Sequence, residues 1–569
     1  MGSVSSLIKV GAVGDELTAA AAGRTSEITH ERFAATKRRT LKPVIFKQAN
    51  RVTALWSLGF FSAAFIYLAL RVPEADFLLA SSDQGYQMAL GMAIDKGRLP
   101  GFDFITQYGP GVAFASYLGF AISGSVIGEM LLSTIGYSAA ITIAAEIVRR
   151  TAGRLPALLT MMGLMLWFPR FYKWYYCLFP LVGLCFALSV YNNVVARRPR
   201  TFLLLGWAQF VGVAGMFRYD LGLEGIVFGG AAILAAHYAT DRSEPRSLIR
   251  DIVVFACATP ILLLGYIGAI LVRREAHQVS VFARSFYDGA ADTIGFYAIS
   301  PFRIRLEDGF SPGNALAILQ FVVPVTYVFG TILGIQALRS ATQPDAKNGF
   351  TLTCVCLVGL GIYPQALHRA DLQHLLQVGF PFVMAFILLS CELEKKFRTA
   401  PLMRCLTRSA AVVTTTVMLE LLPGSATDLG PLVRNPIHQW QTLANLPESR
   451  QGNPTADMAM AIRQMTPSNA KVFLVMAPTD MALLFFAQRY QPGIFPVYER
   501  GMFSSDFWLR QNQIALRSSP PDFLVETKTS NAEVDSDPAP FIPDIVKNWK
   551  SDFTIQLYQN ERYRLLAHH

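Results

Sequence analysis

Charge is scarce in this chain. Of its 569 residues 16% are Asp, Glu, Lys or Arg, while 52% are hydrophobic. So few charged groups cannot coat several soluble cores, which excludes a multidomain soluble protein and points to apolar residues facing lipid. Cysteine is scarcer still: Cys177, Cys185, Cys257, Cys354, Cys356, Cys391 and Cys405 are the whole set. They lie in apolar runs or near their basic ends, and no spacing resembles a zinc site. Neither a disulfide framework nor a zinc fold is expected. Residues 1 to 40 carry no apolar core of signal-peptide type, so no cleavable leader is expected. "MGSVSS" fits a myristoylation pattern through Gly2 and Ser6, but a match that short commonly arises by chance.

What the chain does have is long apolar runs. A hydrocarbon core takes about 20 residues of apolar helix. Runs of that size occupy about 52–70, 130–148, 152–169, 177–195, 201–217, 221–239, 251–271, 313–338, 350–366, 374–391 and 408–423, which makes about eleven spans. An odd count puts the two termini on opposite sides, and the basic stretch Lys37, Arg38, Arg39, Lys42, Lys47 and Arg51 keeps the N-terminus in the cytoplasm. The alternation then places Arg149, Arg150 and Arg154, next Arg197, Arg198 and Arg200, next Arg242, Arg246 and Arg250, next Arg339 and Lys347, and finally Lys395, Lys396, Arg398 and Arg404 on the same side. The net charge of +10 is thus dispersed in short loops beside anionic lipid, not gathered into a nucleic-acid-binding face. Residues 112–128 break the alternation if they span, so they are expected to form a juxtamembrane or re-entrant helix on the outer side.

The frame divides the chain into a cytoplasmic tail (1–51), a transmembrane module (52–423) whose first outer loop covers 71–129, and a soluble C-terminal domain (424–569). In the last part "KVFLVMA", "PDFLVE" and "RYRLLA" read as strands and "TDMALLFFAQRY" as a helix, giving an extracytoplasmic α/β domain.

Polar residues that break the positive-inside rule carry the most information. "PRFYKWYY" (169–176), "FRYDLG" (217–222), "VRREAH" (272–277) and "PQALHRADLQH" (364–374) all fall on the outer side with the first loop. Charges at membrane depth mark lined cavities or pathways. Arg170, Lys173, Arg218, Arg273, Arg274, His368 and Arg369 therefore point to an anionic ligand at the outer leaflet, a phosphate.

The first outer loop reads "SSDQGYQMALGMAIDKGRLPGFDFITQYGPG". Asp83, a helix to Lys96, Gly97 to Pro100, Asp103-Phe104 and Tyr108-Gly109-Pro110 occur in that order, which resembles the first periplasmic loop of the bacterial GT-C glycosyltransferases. That resemblance implies a mainly α, GT-C-like polytopic membrane protein of the bacterial inner membrane. It implies a polyprenyl-phosphate sugar as donor, an inverting hexosyl or pentosyl transfer, and a cell-envelope glycan, lipid or protein as acceptor. The C-terminal domain would lie in the periplasm.

Such a transfer needs a base for the acceptor hydroxyl and cations for the departing phosphate. Asp83 is the expected base and Asp103 the second catalytic carboxylate. Arg218, Arg369, Lys173, Arg170 and His368 are the expected phosphate ligands, and Tyr108, Asp220, Asp371 and His374 the substrate-loop residues. Each has a plainer role beside it. Asp83 could cap the helix that follows it, and Asp103 could hold a turn. Arg218 and Asp220 could form a structural ion pair, and Asp371 could be an N-cap. No cofactor is assigned, and a divalent metal is an open alternative, since His368, Asp371 and His374 are types that could hold one. A transporter or flippase of lipid-linked saccharides is the competing class, but no internal repeat is found, and the polar residues collect on one side instead of at mid-membrane. A polymerase or ligase of such saccharides would use a large late outer loop, for which 273–312 is the candidate.

Overall fold

The computed structural model describes residues 52–569 apart from 81, 107, 168–171, 241–244, 273–279, 282, 286, 289–311, 340–342, 369–371, 397–434, 476–480, 496–504, 529–548 and 550. Phe60–His569 forms one compact unit and Met1–Gly59 another, of which residues 52–59 are described.

The chain is mainly helical. Its first helices are α1 (Val52–Ala69), α2 (Ala75–Ala80), α3 (Ser82–Asp95), α4 (Pro110–Ser123), α5 (Val126–Ala152), α6 (Arg154–Leu166), α7 (Trp174–Val195), α8 (Thr201–Phe217), α9 (Tyr219–Tyr238), α10 (Pro245–Ala258) and α11 (Ile261–Leu271). Among the described residues seven helical segments are long and apolar enough to cross a membrane: Val52–Ala69, Val126–Ala152, Trp174–Val195, Tyr219–Tyr238, Pro245–Ala269, Ala317–Leu338 and Asp345–Leu367.

The difference from eleven has local causes. Run 152–169 shortens to the 13 residues of α6, whereas run 201–217 forms α8 over the expected bounds and is an apolar helix of 17 residues, shorter than the seven. Run 374–391 is divided into Leu372–Val378 and Phe380–Lys396, with Gly379 between them. At that break the indole of Trp167 occupies the space a Cβ on Gly379 would need, and its N–H donates to the Leu376 carbonyl at 3.1 Å. Run 408–423 lies outside the described residues. Helix α4, at 14 residues, is about 21 Å long. That is too short to cross a core of about 30 Å, and the last residues of the expected segment 112–128 belong to α5.

The C-terminal part carries a four-stranded sheet, β1 (Val472–Val475), β2 (Phe523–Thr527), β3 (Ile555–Gln559) and β4 (Tyr563–Ala567), in the order β1-β2-β4-β3. Strands β1 and β2 are parallel, with Val472 opposite Phe523, and the other two pairings are antiparallel. Strand β1 is buried along its whole length, which suits its unbroken Val-Phe-Leu-Val run. Three of these strands were legible in the sequence. The amphipathic helix Asp506–Ser518 and strand β3 were not.

Arg98 joins this part to the loop between α3 and α4. Its guanidinium donates to the Gln491 carbonyl at 2.6 Å and also to the carbonyls of Asp103 and Gly493, and it packs 5.6 Å from both the Phe104 and Tyr490 ring centres. Beside it the Ile105 N–H donates to the Ile494 carbonyl at 2.8 Å. Burial pulls the Arg98 guanidinium below its ordinary pKa, while Asp103 and Tyr490 oppose that pull.

Candidate functional site

Arg218 is the single residue between α8 and α9, in extended conformation (φ −151°, ψ 129°). A two-helix hairpin interrupted by one extended residue puts that side chain at its tip. Three tyrosine rings enclose the guanidinium, with centres 5.0 Å (Tyr108), 5.5 Å (Tyr176) and 5.6 Å (Tyr219) away. It stays charged there because Asp220 accepts from Nε at 3.2 Å and Nη2 at 2.9 Å. Bidentate pairing of this kind fixes the plane of the group as well as its charge.

Asp220 is the hub. Besides Arg218 it accepts from the Leu221 backbone N–H at 2.9 Å and from the side-chain amide of Gln365. The Tyr176 hydroxyl lies 3.3 Å from Asp220 Oδ2 and 3.5 Å from Gln365 Oε1. Four stretches far apart in sequence therefore meet: the first outer loop through Tyr108, "PRFYKWYY" through Tyr176, "FRYDLG" through Arg218 and Asp220, and "PQALHRADLQH" through Gln365. Gln365 sits in the short helix Pro364–His368. Sequence reasoning passed over it for the charged residues beside it. A polar amide between the apolar end of a span and a cationic pair was the available signal.

Lys173 is buried at the head of α7, its ammonium 5.4 Å from the Tyr172 ring centre. Tyr108 is buried, and its own N–H donates to Thr106 Oγ1 at 3.0 Å, while that hydroxyl also accepts from Tyr86 at 2.8 Å. Asp103 Oδ2 accepts from the Leu99 backbone N–H at 2.8 Å, the turn role open to it in a Gly/Pro-rich loop. Asp83 is the second residue of α3 and His368 the last of its helix, and the side chains of both lie outside the description. Arg170, Arg369 and Asp371, with Arg273 and Arg274, lie outside the described residues. His374 is half-buried on Leu372–Val378. Among the described residues no three His, Cys, Asp or Glu side chains come together as a metal site, and Asp371 and the His368 side chain are not among them.

Gly85, two residues after Asp83, packs against the C-terminal part: a Cβ there would lie 2.5 Å from the Ala482 nitrogen. The neighbouring Met481 shares a buried cluster with Tyr86, Tyr108, Tyr175 and Tyr176. The start of α3 is thus covered by a segment almost 400 positions later.

Beside the hub, α7, α8, α9 and the helix Gln343–Ile362 enclose a cavity of about 420 Å³. Ala214 and Leu221, flanking Arg218, line it with Phe179, Trp207 and Phe228. Its one charged lining residue is Glu224, one turn after Asp220, whose Oε2 is buried without a hydrogen-bond partner. An acidic residue inside the apolar run 221–239 was visible in the sequence and was not singled out.

No family model matches the chain, and no curated protein matches it. Solved structures similar to it include ArnT from Cupriavidus metallidurans bound to undecaprenyl phosphate, at 14% identity and TM-score 0.47, covering 90% of this chain and 97% of that one. The apo state of the same protein gives 14% and 0.45, with 91% and 98% covered. The Archaeoglobus fulgidus oligosaccharyltransferase tethered with an acceptor peptide gives 11% and 0.45, with 83% of this chain and 69% of that one covered. At such scores the likeness assigns no activity, and the chemistry of the site rests on its own residues.

Proposed function

We propose that this chain is a GT-C-type membrane glycosyltransferase that moves a sugar from a polyprenyl-phosphate donor to a cell-envelope acceptor at the outer face of the inner membrane. One observation carries it: a buried arginine, contacted by residues from four separate segments, stands at the edge of an apolar cavity between membrane-type helices. An apolar chain ending in a phosphate fits that juxtaposition, with its first isoprene units in the cavity and its head beside the guanidinium. The first-loop pattern from Asp83 to Pro110 supports the same reaction class.

In the reaction the acceptor hydroxyl oxygen bonds to the anomeric carbon of the sugar while the bond from that carbon to the phosphate oxygen breaks. The hydroxyl proton passes to Asp83, and polyprenyl phosphate leaves. One displacement inverts the anomeric centre. Arg218 meets the charge that develops on the phosphate, in a site where few waters compete. Lys173, at the head of α7, adds a second positive charge to this outer region.

The test uses reconstituted protein supplied with polyprenyl-phosphate sugars extracted from the parent cells. Asp83→Asn keeps the size of a side chain in the first turn of α3, so its unfolding midpoint should hold while release of polyprenyl phosphate falls by about 100-fold or more. An Asn variant as active as the parent would remove Asp83 as base and make Asp103 the next carboxylate to test. Movement of the intact lipid across the bilayer without cleavage by the unaltered protein would overturn the transferase in favour of a flippase.

A further inference from the structure

We propose that Glu224 is a further donor-binding residue, whose neutral carboxyl donates a hydrogen bond to the phosphate of the polyprenyl lipid. The inference rests on the transferase assignment above and adds to it a residue that touches the donor.

Glu224 lies on α9 four residues, about 6 Å, beyond Asp220, the residue that grips Arg218. Asp220 and Arg218 are also the charged groups that act on it. Its side chain lines the apolar cavity, and its Oε2 is buried without a hydrogen-bond partner. From the helix Gln343–Ile362 the residue set against it is Gly361, where a Cβ would lie 3.9 Å from Cβ and Cγ of Glu224. A glycine there brings backbone and no polar side chain to the carboxyl. The linings contributed by α7, α8 and Gln343–Ile362 carry no titratable group at all. Unpaired buried polar atoms are rare in folded proteins and call for an explanation. A ligand atom in the cavity supplies one here.

Charge decides the form in which the carboxyl works. Ionised and unpartnered in apolar surroundings it would be costly, and it would add a second negative charge to the Arg218–Asp220 pair and repel a phosphate. A neutral carboxyl avoids both penalties and has one O–H to give. Isoprene units have no atom to accept that hydrogen, whereas phosphate oxygens accept it strongly. A lipid with its head beside Arg218 and its chain in the cavity sets the join of chain and phosphate between Arg218 and Glu224. When the bond to the sugar breaks, the phosphate gains a second negative charge. A neutral donor fixed beside it then binds more strongly while keeping its own proton.

The experiment compares the full-length protein with Glu224→Gln and Glu224→Leu in lipid nanodiscs, with native mass spectrometry to read binding. The probes are undecaprenyl phosphate and undecaprenol, which share the chain and differ in the phosphate. Glu224→Gln keeps the size and a neutral donor, so it should bind undecaprenyl phosphate within about 2-fold of the parent. Glu224→Leu should bind it about 10-fold more weakly, the loss of one hydrogen bond to a charged group, while its affinity for undecaprenol holds. The unfolding midpoint of Glu224→Leu should equal or exceed that of the parent, because an apolar side chain replaces an unpaired carboxyl. A Leu variant that binds undecaprenyl phosphate as the parent does overturns the inference. So does a Gln variant as weak as the Leu variant, which makes the ionised carboxylate the working form. An equal loss for both lipids makes Glu224 part of the packing around the chain and also overturns it. A parent protein that binds undecaprenyl phosphate no better than undecaprenol overturns the transferase assignment itself.

Discussion

Gly109 has no room for a side chain. A Cβ there would overlap the Met216 carbonyl oxygen and lie 2.6 Å from its carbon, and the Gly109 N–H donates to the Phe217 carbonyl at 2.8 Å. Those are the two residues before Arg218. The Tyr-Gly-Pro of the first loop is thus a joint: Gly109 allows backbone against backbone, Tyr108 lays its ring on the guanidinium, and Pro110 opens α4 at a position where its missing N–H costs nothing. Gly109→Ala must force the loop away from the α8–α9 tip, at about 1–3 kcal/mol as for other overpacked sites. A lower unfolding midpoint together with weaker undecaprenyl phosphate binding is expected. An unchanged midpoint would mean the joint yields without cost.

Helices α8, α9 and α10 are tied together at the ends away from Arg218. Arg200, just before α8, donates through Nε to Asp251 of α10 and through Nη2 to Ser247 Oγ at 2.6 Å. His237, in the last turn of α9, places Nε2 at 2.9 Å from the same Asp251 oxygen, and Arg250 approaches its other oxygen at 3.2 Å. Asp251 is 1% exposed and Arg200 8%, so removing either charge strands the other in a poorly hydrated place. Asp251→Ala should cost about 3–5 kcal/mol, the range for breaking one half of a buried pair. The check is urea or thermal unfolding in detergent. A midpoint equal to that of the parent would show that the pair contributes nothing net. The sequence marked Arg200 only as a loop charge, because its partner acid lies 51 positions away.

For the whole molecule, the Arg98 joint makes the C-terminal part and the first outer loop one assembly. Asp83, Asp103 and Tyr108 therefore belong to a loop held from both sides: by the α8–α9 tip at Gly109 and by the segment 490–494 at Arg98 and Ile105. That arrangement requires the C-terminal part and the hub to share one side of the membrane. In a background stripped of the seven native cysteines, a cysteine at position 530 should react with a membrane-impermeant thiol reagent in cells with a permeabilised outer membrane, and one at position 245 should be protected. Reversed labelling would put the hub in the cytoplasm and remove a periplasmic acceptor.

The sequence by itself determined the class of the molecule. Long apolar runs and dispersed arginines fix a membrane-embedded helical protein, because hydrophobic length and the position of charge are local properties. It also marked which polar stretches to watch, and four of them meet around Asp220. What it left undecided was decided by packing. Breaks such as Gly379 make room for a partner, Trp167, that lies 209 residues from the Leu376 carbonyl to which it donates. Arg218 and Asp220 were left open between ligand and ion pair, and only the fold shows the guanidinium gripped by Asp220 and ringed by tyrosines from separate segments. Gln365, Glu224 and Arg98 carry no pattern of their own. Gln365 and Arg98 are placed by an amide and a guanidinium meeting groups 145 and 393 residues distant, and pairing over such separations is set by tertiary structure, not by any local periodicity.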